Sequence, residues 1–139
     1  MNINSLIQFN EPKTLTFNNP FDTKEKPLTL QVYMQGSRVE RQAFREMSSR
    51  IFALMQDESN LEELNGQKNL KVYLLEDVGV EFLSKLVVDW DGMMDGSKKV
   101  PFSREVLVQV LNNFHPLANA IEAFYKDVEG NFQTKQKKI

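Results

Sequence analysis

No cysteine occurs anywhere in the 139 residues, so disulfides, thiolate zinc sites and cysteine nucleophiles are excluded together. A single histidine, His115, is present. No serine elbow of the GxSxG kind, no HExxH pair and no phosphate loop ending in Gly-Lys-Ser/Thr accompanies it, which removes the commonest routes to hydrolytic and nucleotide chemistry. Charge of one sign is lacking too: 17 Lys and Arg face 19 Asp and Glu, for a net charge of −2, and nothing general draws the chain to nucleic acid or to an anionic membrane. No apolar run approaches the roughly 20 residues that span a bilayer. The first residues, MNINSLIQFNEPK, lack the basic start and apolar stretch of a secretory leader. These absences predict a soluble, non-enzymatic chain that stays where it is made, with no metal, cofactor or small-molecule substrate.

What is present is ordinary globular composition, 41% hydrophobic and 26% charged, in a length that suits one domain over residues 1–139. From Met1 to Gly36 the texture is extended and marked by Pro12, Pro20 and Pro27. Leu28, Leu30, Val32 and Met34 alternate with Thr29, Gln31 and Tyr33, the period-two pattern of a half-buried strand. Thr14–Phe17 offers a shorter partner strand, and the segment 18–27 supplies turn formers between them. Together they predict a small antiparallel hairpin.

Ser37 followed by Glu40 can satisfy two orphan amide donors reciprocally, so a helix should begin there. Phe44, Met47, Ile51, Leu54 and Met55 recur at helical spacing as an apolar stripe, while Arg38, Arg41 and Arg45 line another face. Asp57–Asn69 reads as a loop or a short helix around Leu61–Leu64. The stretch from Leu70 to Trp90 is ambiguous, because Leu70, Val72 and Leu74 alternate while Leu70, Leu74, Val78, Phe82, Leu86 and Trp90 step by four. It reads as a helix, most clearly from about Glu76 onward, with Gly79 weakening it by about 1 kcal/mol relative to alanine. Ser103 can cap a further helix carrying Val106, Leu107, Val110, Leu111 and Phe114, which His115-Pro116 should end. A last helix, with Pro116 in its first turn and Leu117, Ile121, Phe124 and Val128 facing inward, should stop near Gly130. The predicted class is therefore α+β: a small N-terminal antiparallel β-hairpin (1–36), a mostly α-helical bundle of about four helices (37–132), and a frayed basic tail (133–139).

The stretch DWDGMMDGSKKVPFS, Asp89–Ser103, holds the only tryptophan and three aspartates. Aligned as a calcium loop from Asp91, it places Met93 and Phe102 where ligands should stand, so the ligand set fails. Asp89 and Asp91 lack an evident environment to tune them as an acid–base pair. Trp90 and Phe102 flank what reads as a corner, where large aromatics serve equally as core or as interface anchors. Nucleic-acid binding through Arg38, Arg41, Arg45, Arg50 and the lysines of the tail is disfavoured by Glu40 and Glu46 on the arginine helix and by the lack of aromatics interleaved with the basic tail.

The order Leu86-Val87-Val88-Asp89-Trp90-Asp91-Gly92, a glycine turn, Val100-Pro101-Phe102-Ser103-Arg104-Glu105, and then two helices ending in Phe132 resembles the tail assembly chaperones of long-tailed bacteriophages. The proline-marked strand pair and the glycine-serine start of a long helix extend the likeness over most of the chain. The resemblance implies a protein of the host cell cytoplasm that binds the tape measure protein and keeps it soluble during tail morphogenesis. Tail-tube protein and a second copy of the chain are further candidate partners, whereas nucleic acid and membrane are not. Trp90, Phe102, Phe44 and Met47 are the candidate partner-binding residues, since methionine and aromatic side chains adapt to varied helix faces. The resemblance also implies that a longer, frameshifted product can share the N-terminal part. A structural subunit of the virion neck or tail, such as a tail terminator or connector, is the alternative.

Overall fold

A computed structural model describes residues 1–133. The chain is a mixed α+β fold in which an antiparallel hairpin, β1 (Lys13–Phe17) and β2 (Leu28–Val32), precedes most of the helices. Its register sets Leu15 opposite Leu30 and Phe17 opposite Leu28. The alternation read from β2 is realised in burial: Leu30, Val32 and, just beyond the strand, Met34 are fully buried. Residues before β1 are not extended as expected. They form a short helix α1 (Ile3–Ile7), capped by Asn2 Oδ1 accepting from the Asn4 N–H at 2.9 Å, and then a 3-10 turn, Gln8–Asn10. Asn10 Oδ1 accepts from the Arg38 N–H at 2.8 Å, and Phe9 stacks on Phe132 with centroids 5.1 Å apart, so this segment is tied to later parts of the chain.

Helix α2 (Arg38–Met55) starts at Ser37 as expected. Ser37 Oγ accepts from the Glu40 N–H at 3.3 Å, and Glu40 Oε1 accepts from the Gly36 N–H at 2.8 Å. The reciprocal cap thus reaches one residue further back than Ser37 itself. The stretch expected to be loop or helix is a hairpin, β3 (Leu61–Leu64) and β4 (Gln67–Leu70), preceded by a 3-10 turn at Glu58–Asn60. Asn65 and Gly66 both take positive φ, 53° and 77°. Positive φ at both central residues of a two-residue loop is what an Asn-Gly hairpin turn requires, and it overrides the weak helical preference of Leu61–Leu64.

Helix α3 (Val72–Leu86) ends four residues before Trp90, and Val87–Asp91 is a strand, β5. The expected continuous helix through Trp90 is therefore corrected, and the hairpin becomes a three-stranded antiparallel sheet of order β1-β2-β5. The reason lies in partners. The Leu86 C=O accepts from the Tyr33 N–H at 2.8 Å and the Ser84 C=O from Arg104 Nε at 3.1 Å, so carbonyls of the last helical turn are satisfied from outside. The β-branched Val87 and Val88 then join the free edge of β2, with Trp90 opposite Leu30. A register shift between Gln31 and Val32 accommodates the junction.

The glycine-rich corner holds Gly92 at φ +102° and a two-rung hairpin, β6 (Met94–Asp95) with β7 (Lys98–Lys99). A Cβ at Gly92 would lie 2.8 Å from the Pro27 carbonyl oxygen, so both its φ and the approach of the β1–β2 loop demand glycine. Ser103 Oγ accepts from the Val106 N–H at 3.4 Å and opens α4 (Arg104–Asn113). Phe114 breaks the helical path, and α5 (His115–Lys126) begins with Pro116 in its first turn. This last long helix stops at Lys126 and not near Gly130, which instead lies inside α6 (Val128–Gln133). The structure thus has more helices than expected, the additional ones short. The basic tail expected over 133–139 falls, from residue 134 on, outside the described residues.

Leu30, Val32, Leu86, Val87, Leu107, Leu111, Leu117 and Ile121 make the centre of the core, where β2 and β5 meet α3, α4 and α5. α2 contributes only Ala43 to that buried cluster.

Candidate functional site

The poor burial of α2 is where a site arises. Of its 18 residues only Glu40 and Ala43 are buried, although Phe44, Met47, Ile51 and Met55 recur at a spacing that places them on one face. Phe44 remains 52% exposed and Met55 40%. A surface helix normally lays such a stripe on the core, and here α2 packs chiefly along α3 and leaves part of its stripe open.

Beside that stripe lies a groove of about 800 Å³ between α2, α3, α4 and α5. Phe44 and Met47 line it from α2, Gly79, Val80 and Leu83 from α3, and Ala118 and Tyr125 from α5. The Phe44 and Phe82 rings meet edge to face at 6.5 Å, and Phe82 meets Tyr125 in the same manner at 5.7 Å. A chain of ring edges therefore crosses the groove floor. Burial pushes the Tyr125 phenol above its ordinary pKa. Glu76 and Asp77 stand on the α3 side and Glu122 on α5. Glu122 is met at 2.7 Å by Lys126, one turn along.

Gly79 is the unusual member. Its backbone is helical, and a Cβ built on it would meet nothing within 4 Å. Glycine in a helix interior costs about 1 kcal/mol relative to alanine. Packing does not demand it here, and what its missing side chain provides is open space in the groove.

On a neighbouring part of the α2–α3 contact, Lys85 Nζ lies 2.7 Å from Glu46 Oε2 and 3.6 Å from Glu81 Oε1. The Lys85 hydrogen bond, helped by one from Gln42, holds the Glu46 carboxyl below its usual range. The Lys85–Glu46 pair bridges α2 and α3 at the surface.

The four candidate residues separate into two places. Phe44 and Met47 share the groove just described. Trp90 and Phe102 form another pair, with rings edge to face at 5.1 Å, and they line neither this groove nor a second hollow of about 660 Å³ bordered by Phe17, Pro27, Gly92 and Phe114. Trp90 is only 7% exposed, and its Nε1–H donates to the Val100 C=O at 2.9 Å. It closes the core under the corner and has little surface to offer a partner. Asp89, Asp91 and Asp95 do not converge: Asp89 Oδ1 accepts from the Trp90 N–H, and among the described residues no group of three or more His, Asp or Glu is placed to hold a metal.

Sequence reading missed Gly79, Val80, Glu76 and Asp77 as groove residues. Gly79 was visible as a helix weakness, and its spacing to Glu76, Val80 and Leu83 marks one helical face. No protein-family model, curated protein or solved structure matches the chain.

Proposed function

We propose that this protein is a tail assembly chaperone of a long-tailed bacteriophage, which works in the host cell cytoplasm by sheltering an apolar helical stretch of the tape measure protein until the tail tube assembles around it. The observation that carries the reading is the open groove beside α2, where Phe44 stays half exposed above a floor of aromatic edges. Helix-in-groove recognition needs an apolar channel between helices with adaptable methionine and aromatic walls, and Met47, Phe44 and Phe82 supply them. The Trp90–Glu105 segment adds the resemblance to the family.

Co-expression with the tape measure protein of the same phage tests the reading. The expected result is that the tape measure protein moves to the soluble fraction and co-purifies with this chain. Equal precipitation with and without the chain refutes it, and recovery of the chain in stoichiometric amount from purified virions would instead support a neck or tail subunit.

A further inference from the structure

We infer that the groove between α2 and α5 selects its helix by charge, taking an apolar helix flanked by lysine or arginine, and that Gly79 is the position that lets this helix reach the floor. The inference rests on the reading of the groove as a helix seat and names the chemistry of what sits there.

The carboxylates on the walls come from two helices. Glu76 and Asp77 stand on the α3 side and Glu122 on α5; His115 also lines the groove, and among the described residues no lysine or arginine does. Among the described residues Glu76 and Asp77 make no ion pair, and Glu122 is the one of the three that meets a cation, Lys126. All three are exposed at the rim, where carboxylates of one sign make the potential at the mouth of the groove negative at low ionic strength. An apolar helix with acidic flanks is repelled there, and one with basic flanks is steered in and held in register. Lys126, 2.7 Å from Glu122 and 5.9 Å from the Tyr125 ring centroid, offsets Glu122, so the negative charge at the rim rests on Glu76 and Asp77.

The floor has a matching feature. Gly79 leaves open space where a side chain would stand, bordered by Val80 and Leu83. A partner side chain that enters this notch gains dispersion contacts that a larger residue at position 79 would forbid. A Cβ at position 79 meets nothing within 4 Å, so Gly79→Ala fits and favours the helix, and the longer side chain of Gly79→Leu extends from that open point to block the groove.

The test uses two labelled synthetic helices of roughly 18 residues, about five turns, with the same Leu/Ala centre and either three lysines or three glutamates at each end. Fluorescence anisotropy should show the lysine-flanked peptide binding at least about tenfold tighter at low salt, with the preference falling as added salt screens the rim. Glu76→Gln/Asp77→Asn should reduce the preference to about twofold or less. Gly79→Leu should weaken both peptides at least about tenfold while its melting temperature stays at or above that of the wild type, and Gly79→Ala should fall between. Equal affinity for both peptides, no binding of either, or unchanged binding by Gly79→Leu overturns the inference. If these results fail while co-expression still solubilises the tape measure protein, the chaperone reading stands and its surface lies elsewhere. If the peptides discriminate while co-expression fails, the charge-selective groove stands and the tape measure protein is not its occupant.

Discussion

Replacing Trp90 isolates what holds the corner to the core. The side chain is only 7% exposed, pairs across the sheet with Leu30, and packs edge to face on Phe102. An aromatic of this size buries about 150–250 Å², which at about 25 cal/mol per Å² corresponds to about 4–6 kcal/mol. Aromatic-to-alanine changes in cores cost about 3–5 kcal/mol, the upper part of which applies where the site cannot collapse. Trp90→Ala also removes the Nε1–H that the Val100 C=O accepts from, so the expected loss is about 4–5 kcal/mol. Trp90→Phe keeps most of the ring and loses mainly that hydrogen bond, and should cost about 1–2 kcal/mol. Urea unfolding followed by far-ultraviolet circular dichroism measures both without relying on the lost tryptophan, and the midpoint should fall with the slope unchanged. A Trp90→Ala variant within about 1 kcal/mol of the wild type would refute the reasoning, because a ring so placed cannot be removed cheaply from a close-packed core.

Gly92→Ala should be strongly destabilising, since it combines φ +102° with a Cβ 2.8 Å from the Pro27 carbonyl oxygen; a melting temperature equal to the wild type would contradict that account. Ser103→Ala should cost about 1 kcal/mol in urea unfolding, through loss of the cap on the Val106 N–H. Glu46 predicts a pH effect whose sign follows from its depressed pKa: the Lys85 contact stabilises above the ordinary glutamate value and is lost as pH falls through the lower folded value. Stability profiles of wild type and Lys85→Met should therefore converge in acid, and a gap that widens as pH falls would contradict this.

The local signals in the sequence proved the readable ones. Ser37 and Ser103 accept the amide hydrogen bonds expected of caps, Leu30 and Val32 face the core by alternation, and the chain breaks at Phe114 ahead of Pro116. Each depends on residues only a few positions apart. Strand β5 was hidden because Leu86 and Trp90 continue a four-residue step through a segment whose β-branched valines suit a strand equally well, and the decision came from β2, more than fifty residues earlier. Leu61–Leu64 was similarly settled by its turn and its pairing with β4. The groove was legible only on its α2 side. Phe44 and Met47 stood out as part of a stripe, but the meeting of Gly79, Glu122 and Tyr125 with them is made by tertiary packing that no single window contains.

Site-specific photo-crosslinking tests the central claim most directly. A benzophenone amino acid placed at position 44, on the half-exposed α2 wall of the groove, and in a separate variant at Val88, 44% exposed on β5, would be irradiated during co-expression with the tape measure protein. The account predicts a covalent adduct with a helical, basic-flanked segment of the tape measure protein from position 44 and little or none from position 88. Adducts from position 88 alone, or none from position 44 while the partner is held in solution, would contradict it.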